Sequence, residues 1–303
     1  MIVRPRPTIF SLFFILRGSI LPSILPRLIL VFTLSMLIVL GHAFAPEVVG
    51  AFDGAPFALV GIALSVFLGS RNSACYDRWW EARKAWGALM SSGRGLGRAT
   101  LILGAEAPAR RLLLTRVIAF AQAMVPHLRN GATRDRAAGL LPEDLRAAYL
   151  ESANGPDLIL ASLAGILAGE RRAGRLSDVE WRALDDYVQR MGEMQSACER
   201  IRQTPVPFGY TLLLHRTAFI FCLLLPFGFV NVLGYFTPFA STLVAYAIFG
   251  LDALGDELER PFGSQPNDLP IAALADTLEI NLRAAMGETD LPAPPAPRDF
   301  ILL

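Results

Sequence analysis

Uncharged apolar runs alternate along the chain with segments rich in arginine and acidic residues. Residues 28–46 form an uncharged run of 19 residues, residues 54–70 one of 17, and residues 217–251 one of 35. A helix that crosses a hydrocarbon core of about 30 Å needs about 20 residues, with roughly 17 as the lower limit. The first two runs therefore each predict one membrane-spanning helix.

The third run is too long for a single span, because 35 residues at 1.5 Å per residue would give a helix of about 52 Å. Residues 234–238 (GYFTP) have the composition of a turn, and we predict a short span on each side of them. Pro226 would kink the first of these spans, which is tolerated where neighbouring helices satisfy the freed backbone groups. The pattern thus predicts an all-α membrane protein with four transmembrane helices.

The polar segments outside these spans also have helical patterns. Residues 110–125 place apolar side chains at helical spacing beside arginines. Residues 176–201 open with Ser177 and Glu180, which match an S-x-x-E capping box. A further helix is predicted near residues 269–286, and a proline-rich tail follows it.

Composition supports a membrane protein and narrows its partners. The chain has 303 residues, of which 53% are hydrophobic and 18% are charged, whereas soluble domains are about 25% charged. This difference favours a lipid bilayer as partner over a large soluble protein with buried core helices. The net charge of +1 argues against a nucleic-acid partner, because it provides no excess of positive charge to neutralise phosphates. The three cysteines fit no disulfide or zinc framework, so we expect buried or free thiols in a reducing compartment.

An alternative for the first run is a cleaved signal peptide. Residues 43–45 (AFA) resemble a signal-peptidase site after an apolar stretch. The region before that stretch would be 27 residues long and is itself rich in apolar side chains. We therefore predict that residues 28–46 are a retained span.

Basic residues predict which side of the membrane each segment occupies. Residues 47–53, between the first two spans, contain two acidic residues and no arginine or lysine. Segments with positive flanks remain in the cytoplasm, so this loop is predicted to be external and, with four spans, both termini to be cytoplasmic. The basic residues are Arg4, Arg6, Arg17 and Arg27 before the first span and Arg71, Arg78, Arg83, Lys84, Arg94 and Arg98 after the second.

These predictions divide the chain into five parts. A cytoplasmic N-terminal segment (1–27) precedes transmembrane helices one and two (28–70), and a helical cytoplasmic domain (71–210) follows them. Transmembrane helices three and four (211–253) then lead to a cytoplasmic C-terminal helix and proline-rich tail (254–303).

Motifs for enzyme chemistry are lacking in the sequence. The three histidines lie far apart, and the chain has no H-E-x-x-H, G-x-S-x-G or P-loop pattern. The glycine-rich segment 93–97 (GRGLG) has the wrong spacing for a dinucleotide loop, so we expect close helix packing or a flexible junction there. We predict no enzyme activity, no cofactor and no metal site.

Two segments resemble signatures of the bestrophin family in its bacterial branch. They are residues 70–87, SRNSACYDRWWEARKAWG, and residues 256–271, DELERPFGSQPNDLPI; residues 205–210 (PVPFGY) are also similar to the family. The resemblance implies a homopentameric ion channel with one central pore in the bacterial inner membrane, and small monovalent ions as its permeating partners. The signature positions are Arg71, Asn72, Tyr76, Arg78, Trp79, Trp80, Glu81, Pro261, Phe262, Gly263, Asn267 and Asp268.

The resemblance also implies pore-lining positions. Its three neck rings fall at Ile62, Val66 and Ser70, which lie four residues apart and so near one face of a helix. A second constriction, at the cytoplasmic exit, falls near Val188. The alternative for Ile62 and Val66 is packing against neighbouring helices or lipid. Ser70 departs from the bulky aromatic usual in the family, so either the neck is wider here or Phe67 takes part.

Calcium activation is not expected. Eukaryotic relatives bind Ca²⁺ through an acidic cluster after the P-F-G motif, whereas here Ser264, Gln265, Pro266 and Asn267 precede a single carboxylate, Asp268. Arg260 stands where the family supplies a ligand oxygen. Because calcium takes six to eight oxygen ligands with several negative charges, a guanidinium in that shell opposes its binding.

The sign of the permeating ion does not follow from apolar neck rings. We expect a chloride channel, which is the usual activity in the family, and a monovalent cation channel of the same fold is the alternative. A secondary transporter would require broken helices in matching halves and an intramembrane charge. A membrane-anchored scaffold or enzyme would require a catalytic constellation in residues 71–210. Neither rival explains the two signature segments.

Overall fold

The computed structural model describes residues 1–5, 8, 10, 14–47 and 52–303. Arg6 and most of the predicted external loop lie outside the described residues. The main helices are α1 (Leu21–Phe44), α2 (Gly54–Ala99), α3 (Pro108–Leu128), α4 (Asp135–Ala138), α5 (Glu143–Glu151), α6 (Gly155–Arg172), α7 (Asp178–Gln203), α8 (Phe208–Leu233), α9 (Thr237–Glu259) and α10 (Ile271–Ala285). The all-helical prediction is confirmed for the described residues, whose only β-type pairings are isolated bridges near the termini.

The chain forms two compact units, each built from separated stretches of sequence. The apolar unit comprises Pro5–Trp79 and Pro205–Arg260. The charged unit comprises Met1–Arg4, Trp80–Thr204 and Pro261–Leu303. The residues of α2 are divided between the two units.

Within the described residues, three helical segments are long and apolar enough to cross a membrane, namely Leu21–Phe44, Gly54–Leu103 and Phe208–Glu259. The last consists of α8 and α9, which a short 3₁₀ turn at Gly234–Phe236 separates. Gly234 has a φ of 48° there, a conformation that glycine adopts without steric cost. The break thus lies within the GYFTP segment, where the composition predicts a turn.

The apolar unit buries one face of each helix and leaves the other face apolar. Residues of α1, α2, α8 and α9 form a common core that includes Leu28, Leu68, Phe221 and Phe249. The outward surfaces nevertheless expose large side chains such as Leu37 and Leu243. Extended exposure of this kind in helices of this length is typical of surfaces that contact lipid.

The charged unit is a bundle of amphipathic helices around α3. Most side chains of α3 are buried, and it packs against α6 and α10. The N-terminus of α7 has the predicted capping box, in which Ser177 accepts from the Glu180 backbone N–H and Glu180 accepts from the Ser177 N–H. This confirms the predicted helix start, because the reciprocal bonds satisfy two N–H groups that a helix otherwise leaves unpaired.

Three glycines of α2 allow close helix packing within the charged unit. A Cβ at Gly93 or Gly97 would press on the side chains of Leu278 or Leu282 in α10, and one at Gly95 would overlap the ring of Tyr187 in α7. Since α2 continues without a break through these glycines, close packing is confirmed over a flexible junction.

We therefore expect Gly95→Ala to lower the melting temperature of the purified protein. Overpacking of this kind costs about 1–3 kcal/mol. Gly165→Ala in α6 is the matched control, because a Cβ there meets nothing within 4 Å. Removing a helical glycine without a clash is expected to be neutral or to stabilise by up to about 1 kcal/mol. Equal melting temperatures for the two variants in detergent would contradict the packing argument.

All three cysteines are buried and unpaired. Cys198 lies in α7, where burial together with the nearby Glu199 and Glu81 carboxylates raises the pKa of its thiol to about 12. A thiol with this pKa is almost entirely protonated at neutral pH and reacts slowly. The prediction of buried or free thiols is confirmed, and the reducing compartment stays a prediction.

Candidate functional site

Within the apolar unit, α2 has two opposite faces of different character. One face buries Leu64, Leu68, Arg71 and Cys75. On the other, Ile62 and Val66 are 63% and 64% exposed, and Ser70 is also exposed. The three positions predicted for the neck therefore share an exposed face of α2.

Helical geometry distinguishes Ser70 from Phe67 as a continuation of this face. Both side chains are exposed. At 3.6 residues per turn, Ser70 lies about 40° around the helix from Val66, and Phe67 lies about 100° from it. The Phe67 carbonyl also accepts a hydrogen bond from Tyr210 Oη at 3.3 Å, on the flank that contacts α8. The geometry thus aligns Ser70 with Ile62 and Val66.

Arg71 anchors the buried face of α2 to the end of α9. Its side chain is 0% exposed, and its Nη1 lies 3.3 Å from Asp252 Oδ1. Its Nη2 donates to Asp256 Oδ1 and lies 3.4 Å from Glu259 Oε2. Because a buried charge is stable only when it is paired and hydrogen-bonded, this network fixes the rotation of α2 about its axis.

Two neighbouring residues reinforce this anchor. Asn72 Nδ2 donates to the Leu251 carbonyl at 3.0 Å. A Cβ at Gly255 would collide with Asn72 Oδ1 and press on Arg71 Nη1, so glycine there permits the close approach of the two helices. Arg71 and Asn72, identified from the signature segment, thus hold α2 against α9.

The acidic partners of Arg71 are not among the predicted site residues. Asp252, Asp256 and Glu259 are spaced so that they share one face of α9. They begin directly after the uncharged run that ends at residue 251, and α9 continues through them as one helix. Successive members of this group are four and three residues apart, a helical spacing that could have indicated a shared partner.

His215 and Arg27 complete the ionic cluster. His215 Nδ1 lies 2.6 Å from Asp252 Oδ2, and Arg27 Nη1 lies 3.6 Å from the same oxygen. Within the described part of the chain, His215, Asp252 and Asp256 are the one group whose ligand atoms are close enough to hold a metal ion. Because guanidinium groups already bind both carboxylates, the cluster fits an ion-pair network better than a cation site.

The aromatic signature residues are divided between the units. The rings of Tyr76 and Trp79 stack in the apolar unit with centroids 6.3 Å apart. In the charged unit, Trp80 is exposed and Glu81 pairs with Arg200 of α7. Trp80 and Glu81 thus lie at the surface of the charged unit, whereas Arg71 lies in the core of the apolar unit.

An arginine binds both ends of the loop that begins with the P-F-G segment (residues 261–263) of the charged unit. Arg129 Nε donates to the Phe262 carbonyl at 3.2 Å, and its Nη2 donates to the Leu269 carbonyl at 3.3 Å. Asp268 is buried and accepts from the Gln265 backbone N–H at 2.6 Å. Burial lowers the pKa of Arg129, an effect that the Asp268 carboxylate opposes. The guanidinium remains charged, and it occupies the carbonyl oxygens at both ends of this loop.

Val188 lies in the core of the charged unit. Its side chain is 4% exposed and shares the buried face of α7 with Leu184 and Met191. A side chain buried in the core of its own chain leaves little surface to line a passage. The burial of Val188 does not favour the cytoplasmic aperture at this position, which stays a prediction.

Comparison with known proteins identifies the family. The family described as bacterial and fungal bestrophin proteins matches residues 1–284. This chain belongs to the bestrophin family and is a membrane protein. It is 43% identical to the voltage-dependent anion channel-forming protein mll4386 of Mesorhizobium japonicum, over 97% of this chain and 94% of that protein. The Escherichia coli voltage-dependent anion channel-forming protein YneE is 38% identical, over 97% of this chain and 96% of that protein.

A solved structure supports the same conclusion. The crystal structure of a bacterial bestrophin homologue from Klebsiella pneumoniae has a TM-score of 0.84 and 38% sequence identity, and covers 88% of this chain and 99% of that one. The resemblance carried by the two signature segments therefore extends to nearly the whole fold.

Proposed function

We propose that this chain forms a homopentameric anion channel in the cell inner membrane, with Ile62, Val66 and Ser70 lining its neck. The observation that carries this proposal is the exposed apolar face of α2, opposite the stripe anchored by Arg71. The relatives called anion channel-forming proteins support an anion as the permeating species.

Four membrane spans are proposed, formed by α1, the first part of α2, α8 and α9. Arginines precede the first span and follow the second, so both termini and the charged unit are assigned to the cytoplasm. Under this topology the turn at Gly234–Phe236 is external, as is the loop between α1 and α2.

The neck would act through its apolarity. Rings of apolar side chains conduct when water fills them and block when they dry, so small changes in width or polarity control flow. The face that bears Ile62 and Val66 continues with Ser70, Ser73 and Asp77, all exposed. The apolar part of this face is therefore short, so a pore lined by it would be narrow and apolar over only a short length. The serine at position 70 would give this neck a wider and more polar inner end.

Planar-bilayer recording in a KCl gradient tests the proposal. We expect discrete steps of current that reverse near the equilibrium potential of chloride, from protein whose mass in detergent is that of a pentamer. Reversal near the potassium potential would replace the anion channel with the monovalent cation channel of the same fold. Protein that stays monomeric and silent would contradict both and favour a transporter or scaffold.

Calcium is not expected to change the activity of the channel. The loop carbonyls of Phe262 and Leu269 bind Arg129, and Asp268 is the single carboxylate between residues 260 and 271. A guanidinium in this position opposes a divalent cation, which needs several oxygen ligands. Open probability should be equal with a chelator and with millimolar free calcium, and magnesium at equal ionic strength serves as control. A saturable increase specific to calcium would contradict this expectation.

A further inference from the structure

A cavity of about 400 Å³ lies within the charged unit, where the end of α2, the start of α3 and the end of α10 meet. Cavities of this size hold small organic molecules rather than single ions. Its walls carry three arginines, one asparagine and small or apolar residues, without an aspartate or glutamate. The lining residues are Arg94, Gly97, Arg98, Leu101, Arg110, Asn281, Leu282 and Ala285.

Two of the lining arginines are exposed. Arg94 Nε donates to Asn281 Oδ1 at 2.7 Å, and both residues line the cavity. Arg98, one turn further along α2, is exposed and makes no hydrogen bond or ion pair with any described residue. Other arginines of the charged unit bind a carboxylate or a carbonyl, as Arg175 does with Glu170 and Arg146 with the Ala138 carbonyl. Arg98 thus offers a complete set of donors to a ligand.

The third arginine is buried without a counter-ion. Arg110 is 3% exposed, and its Nη atoms donate only to the carbonyl oxygens of Ala105, Gly97 and Ala285. Its Nε is buried with no acceptor. The partial negative charges of helix ends at Gly97 and Ala285 compensate such a group in part. A formal anion in the adjoining cavity would complete the compensation, because a buried charge is costly unless paired.

We propose that this cavity binds a small phosphate-bearing anion. Arg98 and Arg94 would contact the phosphate oxygens, Arg110 would supply buried positive charge behind them, and Leu101 and Leu282 would contact an organic group. Planar guanidinium forks match phosphate oxygens by parallel hydrogen bonds. Chloride offers no such geometry and would leave most of the cavity empty, so this site is distinct in kind from that of a permeating ion.

Isothermal titration calorimetry of the intact protein in detergent, with inorganic pyrophosphate at constant chloride concentration, tests the proposal. We expect saturable binding that Arg98→Gln weakens by about tenfold or more, since a charge-assisted hydrogen bond to phosphate is lost. Arg98 makes no contact that folding requires, and an unchanged melting temperature will verify this. Arg182→Gln on α7 is the matched control, because Arg182 is exposed and lies outside the cavity.

Binding is measured without current, so its outcome does not depend on whether the channel conducts. If pyrophosphate produces no heat of binding, or binds wild type and Arg98→Gln with equal affinity, the proposed site is wrong. An equal loss of pyrophosphate affinity in Arg182→Gln would also contradict the proposal, because binding would then depend only on the net charge of the protein. Competition of pyrophosphate by phosphatidylglycerol micelles, in wild type, would identify a lipid headgroup as the source of the phosphate. Failure to compete would identify a soluble compound.

Discussion

Replacing Val66 with threonine is expected to raise the single-channel conductance severalfold. The two side chains have nearly the same shape, so the change places a hydroxyl group in the apolar ring while leaving its width almost unchanged. Water then remains in the neck more readily, and dewetting ceases to limit flow. The measurement is the current amplitude in a planar bilayer with symmetrical KCl at fixed voltage.

Val60→Thr provides the same chemical change on another face of the same helix. Val60 lies about 120° around α2 from Val66 and lines an apolar groove with Phe57 and Leu224 of the same unit. Its replacement should leave the conductance unchanged. If Val66→Thr behaves like Val60→Thr in channels that conduct normally, Val66 contacts lipid or another helix, and α2 does not form the neck.

The elements of the apolar unit could be predicted from sequence because lipid imposes a simple pattern. The uncharged runs identified α1, the first part of α2, and the pair α8 and α9, and GYFTP located the break between the last two. The bounds were less accurate. The first span was predicted over residues 28–46, whereas α1 is Leu21–Phe44 and includes Arg27. A helix does not end where the uncharged residues end, because backbone hydrogen bonding continues into water.

The anchor of the site could not be predicted in the same way. Arg71 and Asp252 are separated by 181 positions, and no local pattern links them. Arg71 was noted as part of a signature segment, yet its pairing with three acidic residues depends on how α2 and α9 pack. The prediction at Val188 meets a related difficulty, because a position counted along a helix does not fix which face of it is buried.

Replacing Arg71 with methionine is expected to cause a large loss of stability. Methionine keeps much of the apolar stem but leaves Asp252, Asp256 and Glu259 without their shared partner. Breaking a buried ion pair on one side costs about 3–5 kcal/mol. The measurement is thermal unfolding of the purified protein in detergent, followed by intrinsic fluorescence.

Arg200→Met is the matched control for this experiment, because Arg200 pairs with Glu81 while both side chains are largely exposed. Such surface pairs contribute about 0–1 kcal/mol. Equal losses in the two variants would contradict the anchoring role of Arg71. A third variant separates charge from packing, since Arg71→Met combined with Asp252→Asn and Asp256→Asn removes two of the three negative charges that lose their shared partner. Partial recovery of the melting temperature is expected, because much of the cost of Arg71→Met lies in these carboxylates rather than in lost packing contacts.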